Sequence, residues 1–141
     1  MKIAIIGLGY VGLPLAVKMS AKYDVIGFDI NENRISHLNH ADDVTGEITT
    51  EELLESDLTY TSDIQLIKDR DVYIVTVPTP VTYSKQPDFG PLISASNLVG
   101  SVLQAGNIVI YESTVYPGAT EELCVPTLEK ASGLKYNTEF F

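Results

Sequence analysis

The residues with the clearest capacity for chemistry lie at the start of the chain. Gly7, Gly9 and Gly12 stand in the spacing G-x-G-x-x-G, with Leu8, Tyr10 and Val11 between them. The β-rich run Lys2–Ile6 precedes them, and a helical pattern opens near Val11. In that setting each glycine has a steric task. Gly7 permits a tight turn, Gly9 leaves the backbone open to a pyrophosphate, and Gly12 lets the helix pack closely on the strand. The amino end of the helix offers N–H groups and a partial positive charge to an anion. Asp29 ends the next β-rich run, seventeen residues beyond Gly12. A carboxylate there accepts hydrogen bonds from a ribose diol and repels a 2′-phosphate, so the expected cofactor is NAD rather than NADP. Asp29 could instead cap the following helix, but Asn31 can fill that role equally well. Arg34 leaves three readings open: a stack over adenine or a reach to its ribose, a solvated helix charge, or a ligand for a 2′-phosphate.

Other reactive residue types carry less. Cys124 lies in a helical pattern beside Glu121 and Glu122, a setting that raises a thiol pKa, and reads as a small core residue. The acids at 42, 43, 47, 51 and 52 do not match a calcium-loop spacing and read as a solvated acidic face, so no metal site is expected. His37 and His40 have no Ser or Cys motif to pair with and read as surface positions.

The elements that must position these residues alternate. Strand candidates are Lys2–Ile6, Asp24–Phe28, Leu58–Tyr60, Val72–Val77 and Ile108–Tyr111. Helix candidates are Val11–Ala21, Asn31–His37, Glu51–Glu55, Asp63–Lys68, Pro91–Gln104 and Ala119–Ala131. Short apolar strands alternating with helices imply βαβ units. The expected fold is α/β, a Rossmann-type doubly wound and mostly parallel sheet with helices on both faces. Residues 39–50 and the proline-rich stretch 77–91 read as loops, the second at a strand's carboxyl end, where open α/β sheets place ligands. Residues 133–141 read as a loop entering a further strand, with Phe140 and Phe141 exposed, and suggest a piece of a longer protein.

Composition bounds the function. The chain has 141 residues, enough for one domain, with 45% hydrophobic residues and a formal net charge of −10. That charge argues against nucleic acid as a partner. A single cysteine excludes an internal disulfide framework and a cysteine-based zinc site. No run of about 18 apolar residues exists to cross a membrane, and no signal peptide is recognisable, so a cytoplasmic location is the default.

Two further segments narrow the reading. Val75-Thr76-Val77-Pro78-Thr79-Pro80 ends the fourth strand, and Tyr111-Glu112-Ser113-Thr114-Val115-Tyr116-Pro117-Gly118 follows the fifth. With Gly7–Gly12 and Asp29, they resemble the amino-terminal domain of the UDP-glucose/GDP-mannose dehydrogenase family, over essentially the whole chain. Residues 7–16 and 112–122 look most like the branch acting on UDP-N-acetylhexosamines, which serves capsule, Vi and O-antigen polysaccharide synthesis. The resemblance implies oxidation of a nucleotide sugar's C6 alcohol to a carboxylate with two NAD+. It places Gly7, Gly9, Tyr10, Val11 and Gly12 on the pyrophosphate and Asp29 and Arg34 at the adenosine end. Thr79 and Thr114 would line the nicotinamide side, Thr114 with a catalytic role. It also implies a central helical part and a nucleotide-sugar domain beyond this chain, which supply the nucleophilic cysteine. The chain alone is then expected to be inactive, and the whole enzyme a homo-oligomer. Two alternatives stand beside this: a dehydrogenase of UDP-glucose or GDP-mannose, and a stand-alone NAD-binding regulatory module.

Overall fold

A computed structural model describes residues 1–81, 83 and 85–141. Thr82 and Ser84, inside the expected 77–91 loop, lie outside the described residues. The strands are β1 (Lys2–Ile6), β2 (Asp24–Phe28), β3 (Thr59–Thr61), β4 (Val72–Val75) and β5 (Ile108–Tyr111). They form one parallel sheet in the order β3-β2-β1-β4-β5. The helices are α1 (Gly12–Ser20), α2 (Glu32–Asn39), α3 (Thr50–Glu55), α4 (Gly90–Val102) and α5 (Val125–Ser132).

Side-chain alternation divides the core between the two faces. In β1, Ile3 and Ile5 pack with Leu13 and Ala16 of α1, Ile35 and Leu38 of α2 and Leu53 of α3. Ala4 and Ile6 pack instead with Leu92, Ala95 and Val99 of α4 and Leu128 of α5. Val72 and Ile74 of β4 follow the first group, Tyr73 and Val75 the second. A central strand buried on both faces therefore has apolar residues at every position, which explains the continuous run Ile3–Ile6. Helices cover both faces, so the sheet is doubly wound as expected. The chain winds from β1 out to β3, then returns to β4 beside β1. That reversal opens a crevice at the carboxyl ends of β1 and β4.

Three elements differ from the sequence expectation. β4 stops at Val75, because Thr76 turns its hydroxyl to the carbonyls of Ile6 and Gly7, and Pro78 and Pro80 lack N–H donors. Residues 64–67 form a 3-10 turn capped by Asp63 rather than an α-helix. The expected helix over 119–131 divides into a π-helical stretch, Thr120–Cys124, and α5. Pro126 withholds the N–H that an unbroken α-helix would need there, and Val125 N–H reaches back to Thr120 O.

The last residues are packed more deeply than their sequence suggests. Phe140 is buried against Tyr136 and the α4–α5 face, not exposed. Phe141 is half exposed; its N–H donates to Asn107 O at 3.0 Å and its carbonyl accepts from Val109 N–H at 2.7 Å, so the chain runs along the outer edge of β5.

Candidate functional site

A cavity of about 630 Å³ opens at the crevice between β1 and β4. Its floor is the glycine loop, Gly7 to Gly9, and its far wall is α4 with Pro91, Ser94, Ala95 and Leu98. One end is closed by Asp29, Ile30, Asn31, Arg34 and Thr45, the other by Thr76, Val77 and Pro78.

The loop's glycines answer to different constraints. Gly7 has φ +96°, a left-handed conformation that side chains disfavour, and its N–H donates to Phe28 O at 2.8 Å. A Cβ on Gly12 would lie 1.8 Å from Gly7 O and 2.4 Å from Thr76 Oγ1, so no side chain fits between helix and loop. A Cβ on Gly9 would meet nothing within 4 Å. That face of the backbone is open, as a group approaching closely would require. Leu8 is fully buried over Gly27, whose missing side chain leaves room for it. Val11 stands at the N-cap of α1 with no side-chain cap and no acid in the first turn. Tyr10 and Val11 are exposed. The loop end of this nine-residue helix is therefore accessible, uncapped by side chains and free of local negative charge in its first turn.

Asp29 stands beside the same loop. Its Oδ2 accepts from Leu8 N–H at 2.8 Å and its Oδ1 from Asn31 N–H at 2.9 Å. Asn31, not Asp29, caps α2, accepting from the N–H groups of Asn33 and Arg34. Each Asp29 oxygen has one further lone pair for a ligand hydroxyl.

Arg34 is not a solvated helix charge. It is 8% exposed, its Nε donates to Leu8 O at 2.8 Å, and its Nη1 lies 2.8 Å from Asp43 Oδ1. Asp29 and Arg34 thus grip the N–H and the C=O of Leu8 from the same side of the fold. Nη2 is buried without a partner among the described residues, and Nη1 has only the ion pair with Asp43 among them.

Asp43 departs from the reading of residues 42–52 as a solvated acidic face. Its side chain is wholly buried. The carboxylate accepts from the N–H and hydroxyl of Thr45 and from the N–H groups of Glu47 and Ile48, so residues 43–48 fold around it. Burial raises its pKa, but the hydrogen bonds from Thr45, Arg34 and Ile48 outweigh burial and hold it at about 2. The other acids of this stretch keep to the surface, and His37, also exposed, lies 2.6 Å from Asp42.

At the opposite end, the loops after β4 and β5 are laced together. Thr79 Oγ1 donates to Thr114 O at 2.8 Å, Ser113 Oγ donates to Val77 O at 2.6 Å, and Phe89 meets Tyr116 edge-on at 5.6 Å. Thr79 and Thr114 are thereby neighbours. They stand beyond Val77 and Pro78 rather than on the cavity wall itself. Thr76 is a site residue that its sequence did not single out. Its hydroxyl clamps Gly7 O at 2.7 Å and holds the glycine loop to β4. Cys124 is fully buried near Tyr111, and burial raises its thiol pKa, as expected of a core residue.

These features fit a dinucleotide: an open backbone at Gly9, an uncapped helix end, and an acid at the end of β2. The whole chain, residues 1–141, matches the family model described as the UDP-glucose/GDP-mannose dehydrogenase family, NAD binding domain. The chain belongs to that family. It is 56% identical over 142 residues to a UDP-N-acetyl-D-glucosamine 6-dehydrogenase of Pseudomonas aeruginosa, covering 100% of this chain and 34% of the relative. It is 57% identical over 141 residues to the enzyme of the same name from Salmonella typhi, covering 99% and 33%. Among solved structures it superposes on a UDP-D-ManNAc dehydrogenase from Pyrococcus horikoshii with a TM-score of 0.89 at 36% identity, covering 99% of this chain and 34% of that one. The chain therefore spans about a third of the length of the curated relatives it matches. Its cofactor is NAD, as the family's domain description states. No helix among the described residues is long and apolar enough to cross a membrane.

Proposed function

We propose that this chain is the cofactor domain of a longer nucleotide-sugar 6-dehydrogenase, which oxidises the C6 alcohol of a UDP-N-acetylhexosamine to the uronic acid with two NAD+. The observation that carries the substrate class is identity above half, along the whole chain, to two relatives named UDP-N-acetyl-D-glucosamine 6-dehydrogenase. NAD+ held here would supply the hydride acceptor, and this chain's residues would bind and orient it. Gly7, Gly9 and Gly12 shape the loop, and the amides of Tyr10 and Val11, at the start of α1, would hold the pyrophosphate. Asp29 would accept the adenosine ribose hydroxyls, and Arg34 lies alongside, its Nη2 without a partner among the described residues. Thr79 and Thr114 serve the nicotinamide end, where Thr114 orients the reacting oxygen. The exposure of Thr114 beside Thr79 supports this role.

Residues that complete the active site, including the nucleophilic thiol, belong to the other two-thirds of such an enzyme. Cys124 does not replace that thiol, because it is buried in the core and does not line the cavity. The reading carries with it a cytoplasmic location, where NAD+ and nucleotide sugars meet, a homo-oligomeric intact enzyme and a role in capsule-type polysaccharide synthesis. The test is NADH formation by the intact protein with UDP-N-acetylglucosamine, UDP-N-acetylgalactosamine, UDP-glucose and GDP-mannose. Turnover of the two N-acetylhexosamine substrates is expected to dominate. A preference for UDP-glucose or GDP-mannose would overturn the substrate class, and no turnover of any would leave a binding module only.

A further inference from the structure

We infer that Asp43 sets the selectivity of the adenosine end, by holding Arg34 in a pair that a 2′-phosphate cannot recruit. The inference rests on the reading that this cavity takes NAD+. Its starting point is that the cavity contains a cation at the position where NADP-type sites need one. Arg34 and Asp29 bind opposite ends of the Leu8 peptide, each at 2.8 Å, and both line the cavity with Thr45. A ribose whose diol is accepted by Asp29 therefore lies beside the guanidinium. Arg34 Nη2 is buried and has no partner among the described residues, and Nη1 has only the ion pair with Asp43. A guanidinium with a free donor beside a ribose is a good phosphate ligand, because it offers charge and parallel N–H bonds together. Asp29 alone leaves that attraction only half opposed.

Asp43 supplies the rest. Its Oδ1 sits 2.8 Å from Arg34 Nη1, and neither side chain is solvated enough for salt to screen the pair. The carboxylate cannot drift away, because Thr45 donates twice to Oδ1 and the amides of Glu47 and Ile48 donate to Oδ2. The local charge is then one guanidinium against two carboxylates. A neutral hydroxyl or a ring nitrogen can still accept from Nη2, whereas a phosphate dianion meets a net negative wall. Asp43 acts through Arg34 and is a positioning residue for it, so its role must be read from a ratio between two cofactors and not from a loss of binding.

The experiment is titration calorimetry of the intact protein with NAD+ and with NADP+, on the wild type, Asp43→Asn, Asp43→Asn with Arg34→Met, and Arg34→Gln. Asp43→Asn is expected to raise the affinity for NADP+ relative to NAD+ by roughly tenfold, the scale of one charge-assisted contact. Adding Arg34→Met should abolish that gain. Arg34→Gln removes the cation while leaving both carboxylates. Because the paired Arg34 is withheld from the phosphate, the ratio should stay near the wild-type value. A clear fall would show that a 2′-phosphate recruits Arg34 despite Asp43, and would overturn the inference even if Asp43→Asn does not fold. A ratio unchanged in folded Asp43→Asn, with both cofactors weakened alike, would make Asp43 a brace for residues 43–48 and overturn the inference. A wild type that binds neither cofactor would instead overturn the underlying reading of the cavity.

Discussion

Two glycines of the loop should respond oppositely to the same added methyl group. In Gly12→Ala the new Cβ falls 1.8 Å from Gly7 O, a backbone atom, and 2.4 Å from Thr76 Oγ1. Neither can retreat cheaply: Gly7 is fixed by its N–H bond to Phe28 O, and Thr76 by its bonds to Ile6 O and Gly7 O. Overpacking of this kind costs about 1–3 kcal/mol. Loss of the Thr76 to Gly7 hydrogen bond adds about 1 kcal/mol. The better helix propensity of alanine returns less than about 1 kcal/mol at this first helical position. The expected net loss is about 2–3 kcal/mol, or a fall in Tm of about 6–15 °C for a domain of this size. Gly9→Ala places its Cβ in open space at a φ that alanine tolerates, so stability should hold within about 0.5 kcal/mol. Its methyl group projects where the pyrophosphate must approach, and NAD+ binding should fall. The assay is denaturant unfolding without cofactor, followed by calorimetry with NAD+. A Gly12→Ala protein within about 1 kcal/mol of wild type would refute the close-packing argument. An equal loss in Gly9→Ala would refute the claim that Gly9 is kept for the ligand.

Other outcomes follow from the same structure. Asp43 has a folded pKa of about 2, below its unfolded value, so it contributes stability above about pH 4 that is lost as pH falls toward 2. For a loop near the surface this amounts to about 1–2 kcal/mol, and urea unfolding of Asp43→Asn should lack that part of the acid dependence. Parallel stability curves for the two proteins would count against the buried ion pair. In the intact enzyme, Thr114→Ala should lower kcat with little change in KM for NAD+, whereas Asp29→Ala should raise that KM, because it touches the cofactor away from the chemistry. An unchanged kcat would make Thr114 a structural loop residue. Burial and a raised pKa should protect the Cys124 thiol, so maleimide labelling of the 141-residue chain should track unfolding. Rapid labelling of the folded chain at neutral pH would contradict its core position.

What the sequence determined by itself was whatever depends on residues close together in the chain. The run Ile3–Ile6 announced a strand buried on both faces, and it is the centre of the sheet. The spacing of Gly7, Gly9 and Gly12 was legible because a tight turn, the close approach of a pyrophosphate and a closely packed helix start each ask for one glycine. Asn31 was legible as a candidate cap, a role Asp29 could equally have taken, and the structure gives it to Asn31. The tertiary structure alone decided the rest. Thr76 meets Gly7 across 69 positions, and Thr79 meets Thr114 across 35. Only the order of β1, β4 and β5 makes those pairs neighbours. Arg34 and Asp43 are close in sequence, yet Asp43 read as part of a solvated acidic face, and a solvated charge was one of three readings open for Arg34. Their pairing needed the turn of residues 43–48 to fold four donors around one carboxylate and bury it beside α2. Periodicity records which face a residue takes, whereas the partner that neutralises a buried charge depends on how the loop closes over it.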